Sequence, residues 1–380
     1  MRTITKLLVL AISAMAFAFV TSCEGPEGPA GADGTDGTNG VDGIDGQNGN
    51  VSCLVCHSQS SMDALNALYA LSGHNAAGAV AYAGGRASCA KCHSHEGFSN
   101  YLAATPGADA IDIAYPTRIG CKTCHSTHTS LEADITAPMA TTAAVTAITD
   151  GSTFDFVNNS NLCANCHQSR KDGDSYDKYT DAQSFTRKFT GDNIAAYTTS
   201  ANGPAGSATL NATSDTLTVV FDVPTTHVYI SSSHAGPHHG PQANVLFGIG
   251  GYGSGSTGTH STLGCVSCHL GTAGTTEGGH SFIPNVDNCT SCHTGATDFD
   301  WHGKQTSFDT RLAAIEAALE TAHAIHVDAG EVHPMYSSIT REEFKAFWNF
   351  MILLEDASRG VHNPGYTETL LTSAETNLGL

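Results

Sequence analysis

Cys53-Leu-Val-Cys-His57, Cys89-Ala-Lys-Cys-His93, Cys121-Lys-Thr-Cys-His125, Cys163-Ala-Asn-Cys-His167, Cys265-Val-Ser-Cys-His269 and Cys289-Thr-Ser-Cys-His293 are six copies of one pattern, Cys-x-x-Cys-His. Thiols at this spacing sit one helical turn apart, so both can add across the two vinyl groups of one porphyrin while the adjacent imidazole rises beneath the iron. Zinc knuckles and disulfides use Cys-x-x-Cys equally well, but neither accounts for the histidine. The chain has 20 His in 380 residues. Chance placement of one after all six pairs has a probability on the order of 10⁻⁸. Twelve of the 13 cysteines lie in these motifs, which leaves no thiols for a structural bridge. The sequence therefore predicts six covalently held haem c groups, bound through Cys53, Cys56, Cys89, Cys92, Cys121, Cys124, Cys163, Cys166, Cys265, Cys268, Cys289 and Cys292. Their proximal iron ligands are His57, His93, His125, His167, His269 and His293.

The odd cysteine, Cys23, closes an N-terminal segment in which Arg2 and Lys6 precede an apolar run from Leu7 to Phe19 and then Val20-Thr21-Ser22. This predicts a secretion signal over 1–22. Val-Thr-Ser-Cys resembles the lipobox of bacterial lipoproteins, which implies lipidation at Cys23. A run of about 13 apolar residues is short of the roughly 20 that span a bilayer. The expected location is outside the cytoplasm, lipid-anchored to a bacterial membrane such as the periplasmic or cell-surface face of an outer membrane, and stable anchoring of this kind takes more than one acyl chain.

From Gly25 to Gly49 every third residue is glycine, with Pro26 and Pro29 at the start and Asp33, Asp36, Asp42 and Asp45 further on. Glycine at this period is what the crowded axis of a collagen triple helix demands, but proline stops after two residues. Residues 23–50 read as the acylated cysteine and a flexible acidic spacer; a weak trimeric stalk has the same signature.

Residues 51–380 are expected to form the haem domain: four haems over 51–170, an insertion with short strands over 171–262, two haems over 263–300 and C-terminal helices over 301–380. About 55 residues per haem leave little protein for separate cores, so the haems are expected to be the core. Aromatic content is 7% and there are 40 glycines. The fold class expected is mainly α, with much irregular loop, stacked haems and a small β insertion. Thr216 to Phe221 and His227 to Ile230, broken at Pro224, suggest a small hairpin or edge ribbon, and the Gly250 to Gly255 run reads as a loop. Phe308, Leu312, Ile315 and Leu319 mark one face of a helix, with His323 and His326 beyond it. A second helix starts at Thr340, with Glu343 completing a capping box and Ile339 and Phe344 a staple. Phe344, Phe347, Trp348, Met351 and Leu354 form its apolar face, with Gly360 as its end.

Fourteen histidines lie outside the motifs, enough to give every iron a second imidazole. His128, three residues after His125, would share a helix face with it and so must serve a neighbouring haem. His95 faces elsewhere. Ser72-Gly-His74, Cys121 to His128, Cys163 to Arg170, His234-Ala-Gly-Pro-His238-His239-Gly-Pro-Gln242, Gly279-His280-Ser-Phe282 and Ser358-Arg-Gly-Val-His362-Asn-Pro364 together resemble the multihaem cytochrome c superfamily. That superfamily includes pentahaem nitrite reductases, octahaem oxidoreductases and hexahaem electron conduits. The resemblance implies distal imidazoles at His74, His128, His238, His280 and His362, with His260 or His234 as the sixth and His239, His323 and His326 in reserve. The lysine-ligated haem of ammonia-forming nitrite reductases has no counterpart, because no Cys-x-x-Cys-Lys is present.

Two imidazoles saturate an iron, so the expected role is electron transfer between redox proteins or to an extracellular acceptor, with no catalytic residue. The formal charge of −20 disfavours nucleic acid and suits a basic, cationic or metal-oxide partner. The rival expectations are an oxidoreductase with one open haem reducing a nitrogen or sulfur oxyanion, with Arg170 or the His234 to His239 loop supplying protons, and a subunit of a conductive filament.

Overall fold

The computed structural model describes residues 51–380 apart from 106–107, 129–136, 192–193, 195–206 and 212–214. The signal, Cys23 and the glycine repeat lie outside the described residues. Twelve α-helices of the described chain set the frame: α1 Val51–His57, α2 Gln59–Tyr69, α3 Gly73–Ala76, α4 Ala87–His93, α5 His95–Ala103, α6 Cys121–Cys124, α7 Ser160–Ala164, α8 Gln242–Phe247, α9 Gly264–His269, α10 Lys304–Thr321, α11 Arg341–Asp356 and α12 Pro364–Leu378. Among the described residues, nine short strands form four small antiparallel sheets. The class is mainly helical with long irregular connections. No described helix is long and apolar enough to cross a membrane.

Five motifs lie at least partly on short helices and Cys289–His293 on turns; directly behind two of them a serine caps the start of the next helix. The Ser58 hydroxyl accepts from the Ser61 amide to open α2, and the Ser94 hydroxyl accepts from the Gly97 amide to open α5, each satisfying an orphan donor of a helix start. Gly97 lets α5 fold back on α4: a Cβ there would stand 2.2 Å from the Ala90 carbonyl oxygen.

The expectation that haems alone supply the core is incomplete. The C-terminal residues build an apolar core of their own, with α11 at its centre: Phe344, Phe347, Trp348, Phe350 and Ile352 are each at most 1% exposed. Ile315 and Leu319 of α10, Leu370 and Leu371 of α12, and Val228 and Ile230 close around them. α11 is hydrophobic over more than one face, so it is wrapped on several sides instead of lying on a surface. Its start is as expected, with Thr340 and Glu343 in a reciprocal capping box. Its stop is Ala357 in the left-handed region, three residues earlier than Gly360. The loop through Tyr252 is pinned to this core by Asn349, whose side chain accepts from the Tyr252 amide at 2.7 Å and donates to its carbonyl at 2.9 Å.

The two strand segments do not form a hairpin. Thr216–Val223 (β5) is the centre of a three-stranded sheet between Gln183–Thr190 (β3) and Ser207–Asn211 (β4), whereas His227–Ile230 (β6) pairs with Ser337–Thr340 (β9). β6 carries Val228 and Ile230 into the C-terminal core, and that burial outweighs pairing with its sequence neighbour. A third terminal helix, α12, follows Asn363, whose side chain accepts from the Tyr366 amide at its start. Arg311 of α10 ties it down, bonding Glu375 at 2.6 Å and Glu368 at 2.8 Å.

Replacing Trp348 with Ala should cost about 3–5 kcal/mol of stability, and Thr340→Ala about 1 kcal/mol through the lost cap. Guanidinium unfolding of the purified protein checks both; equal effects would contradict the central place given to α11.

Candidate cofactor sites

Every motif histidine faces one histidine from elsewhere in the chain. His57 meets His128 with ring centres 6.0 Å apart, His93 meets His238 at 6.0 Å, and His125 meets His280 at 6.2 Å. His167 meets His74 at 6.1 Å, His269 meets His362 at 6.3 Å, and His293 meets His260 at 6.1 Å. An ion held between two imidazole nitrogens at roughly 2.0–2.1 Å, each nitrogen about 1.2 Å from its ring centre, separates the centres by roughly 6.5 Å. One such separation is ordinary for aromatic rings in contact. Six, one for each motif and none repeated, require a common cause.

Local structure aims the non-motif partners. His74 sits in α3, opened by the Ser72 hydroxyl accepting from the Asn75 amide at 3.1 Å. His238 has φ of 75° between Gly236 and Gly240, a conformation rarely adopted by side chains with a Cβ. His280 and His260 lie in 3₁₀ turns at Gly279–Ser281 and Thr259–Thr262, and His362 follows the turn after α11. The expected helix joining His125 and His128 is absent. α6 ends at Cys124, His125 is extended and bridged to Met139, and His128 reaches His57 across to another motif.

Several rings are oriented through Nδ1. His125 donates to the Pro138 carbonyl at 3.3 Å, His269 to the Phe282 carbonyl at 2.8 Å and His260 to the Val361 carbonyl at 2.6 Å. His167 donates to the Gln242 side-chain oxygen at 3.1 Å, and His362 to Asp356 at 2.7 Å. An occupied Nδ1 fixes the tautomer and leaves Nε2 as the electron-pair donor.

Burial shifts six of the twelve paired imidazoles toward the neutral form. It holds His74 down to about 4 with His167 adding to the effect, and His238 down to about 4 with Arg170, His239 and His93 adding. His93, His167, His269 and His280 are lowered too, with burial the largest cause. At His362 burial is the largest single effect and pulls down, but the charge and hydrogen bond of Asp356, with Cys265 adding to them, raise the ring overall.

One continuous cavity of about 4490 Å³ runs among the six motifs, lined by all twelve motif cysteines and all twelve paired histidines. Shared among six, this is about 750 Å³ each, within the roughly 300–1,000 Å³ of pockets for sizeable organic ligands. None of the twelve motif cysteines forms a disulfide. Motifs abut one another: Cys92 Sγ lies 3.9 Å from the Asn165 carbonyl oxygen, and Cys166 Sγ lies 3.7 Å from the Lys91 carbonyl oxygen.

The residues present fit haem c: paired thiols, facing imidazoles, and a buried His238 Nε2 with no hydrogen-bond partner. A bare metal ion fits less well, since no group of three or more His, Cys, Asp or Glu among the described residues converges to hold one.

The other predicted residues fall elsewhere. His234 is exposed, its amide bonded to the Ser232 hydroxyl. His239 donates to Glu355 at 2.7 Å. His323 ends the turn after α10, and His326 lies on β7 (Ile325–Asp328) opposite His333. His95 bonds Thr123 at 3.0 Å. The residues that escaped the sequence reading are the acceptors behind the rings, Asp356, Gln242, and the carbonyls of Phe282, Val361 and Pro138. Gln242, Phe282 and Val361 stood inside quoted segments, and Asp356 and Pro138 did not.

No protein-family model matches the chain, and no curated protein does. Among solved structures it is similar to the outer cell wall cytochrome OcwA, with 19% identity and a TM-score of 0.46, over 82% of this chain and 49% of that one. It is also similar to the undecahaem cytochrome from the S-layer of Carboxydothermus ferrireducens, with 19% identity and a TM-score of 0.41, over 77% of this chain and 38% of that one. The chain thus spans about half the length of the first and less of the second.

In the haem-loaded protein, His260→Ala is expected to convert about one sixth of the ferric low-spin signal to high-spin by electron paramagnetic resonance, and His234→Ala none. The opposite result would show that His234 completes the sixth site.

Proposed function

We propose that the chain is an exported hexahaem c-type cytochrome whose irons are each held by two histidines and which relays electrons between redox proteins or to an extracellular acceptor. The observation that carries this reading is the set of six ring pairs at 6.0–6.3 Å. His57 and His128, His93 and His238, His125 and His280, His167 and His74, His269 and His362, and His293 and His260 are the proposed axial ligands. The motif cysteines hold the porphyrins covalently.

Haem supplies reversible one-electron chemistry at iron. The chain's own contribution would be to set two imidazoles at each site, so that a small oxyanion or peroxide would find no place to coordinate. Carbonyl, amide and carboxylate partners at Nδ1 set how strongly each ring donates. Arg170 stands close enough to His93 and His238 to depress both, but an acid beside a saturated iron has no bound substrate to protonate. This favours a carrier over an enzyme. Cys23, lipidated, is the proposed tether of the haem domain to a membrane outside the cytoplasm, with the acidic glycine repeat as spacer. The charge of −20 suits a basic or cationic partner.

The test is a pyridine haemochrome assay combined with intact mass on the protein matured in a host that exports and assembles c-type cytochromes. Six thioether-linked haems are expected; fewer would overturn the count. Rapid binding of cyanide or nitrite to the ferric protein would overturn the role of carrier.

A further inference from the structure

We propose that Asp356 makes the site of His269 and His362 the one with the lowest reduction potential of the six, by placing a buried carboxylate behind one axial imidazole. The inference rests on the haem reading above. Asp356 is the last residue of α11 and only 2% exposed. One carboxylate oxygen accepts from His362 Nδ1 at 2.7 Å, and the other accepts from the Ser358 hydroxyl. An N–H facing a carboxylate gives up part of its proton's charge to the oxygen, which makes the opposite nitrogen a stronger donor and favours the ferric over the ferrous state.

Among the described residues, no other paired imidazole bonds a carboxylate. His125, His260 and His269 bond backbone carbonyls, and His167 bonds the neutral amide of Gln242. The same helix end serves both kinds of site. Gln242 donates to the Glu355 and Asp356 carbonyls while accepting from His167, whereas Asp356 offers His362 its side chain. Burial keeps the carboxylate's field unscreened by salt, and the helix C-terminus adds negative partial charge at this point.

Neighbouring cations are committed elsewhere. Arg359 bonds Asp309 and Gln305, and Arg311 bonds Glu368 and Glu375. The carboxylate of Glu355 is bonded to His239.

The experiment is a redox titration of the holoprotein, followed by visible absorption and by electron paramagnetic resonance, on wild type, Asp356→Asn and Ser358→Ala. Asp356→Asn keeps size and an acceptor oxygen but removes the charge. The lowest of the six midpoints should rise by about tenfold in the reduction equilibrium constant, about 59 mV for one electron, with the other five unmoved. Ser358→Ala removes the competing donor, and the same component should fall; because it leaves Asp356 in place, it decides the matter if the first variant does not mature. Six low-spin haems with the lowest component unmoved in Asp356→Asn, or raised in Ser358→Ala, would overturn the role of Asp356 and leave the haem reading intact. A wild-type protein carrying no haem at Cys265 and Cys268 would overturn both.

Discussion

The structure depends on imidazole rings held opposite one another with centres 6.0–6.3 Å apart, the spacing that one proposed metal ion would need. Each pair joins segments that are remote in sequence: His93 meets His238, and His125 meets His280, both across more than a hundred residues. An ion shared by such a pair acts as a cross-link, and cross-links that close long loops remove the most freedom from the unfolded chain. This explains how a chain with 40 glycines, short motif helices and little sheet holds a fixed arrangement of sites. With the proposed ions in place, ordering of these sites would be linked to binding.

The C-terminal core supplies what cofactors cannot, a rigid platform of protein. α11 is buried along most of its length, and its last turn projects Glu355 and Asp356 toward the sites. From that one helix end, hydrogen bonds reach His239 beside the His93 pair, Gln242 behind His167, and His362. Packing of Trp348 and its neighbours therefore bears on the orientation of two paired imidazoles in different sites, His167 through Gln242 and His362 directly.

What was legible in the sequence was local. Cys-x-x-Cys-His is complete within five residues, and the Thr340 cap needs only Glu343 and a hydrophobic neighbour on each side. The partners of the rings were less accessible, because no spacing rule links His74 to His167 or His260 to His293. The family resemblance named five of the six facing histidines outright, and geometry separates His260 from exposed His234. The hairpin expectation failed for the same reason: β-branched residues identify β5 and β6 as strands, but the choice of β9 as the partner of β6 is made by the core more than a hundred residues later. α12 had a local signal, Asn363 followed by Pro364 at the first helical turn, that the reading of His362 as a ligand overshadowed. Asp356 had none, since a carboxylate at a helix end is ordinary until the fold brings His362 onto it.

The most direct measurement is a crystal structure of the mature protein, with iron located by anomalous scattering. Six iron peaks are predicted, each midway between the two rings of one pair and bonded to a nitrogen of both. Fewer peaks, or an iron with an imidazole on one side only, would contradict the account.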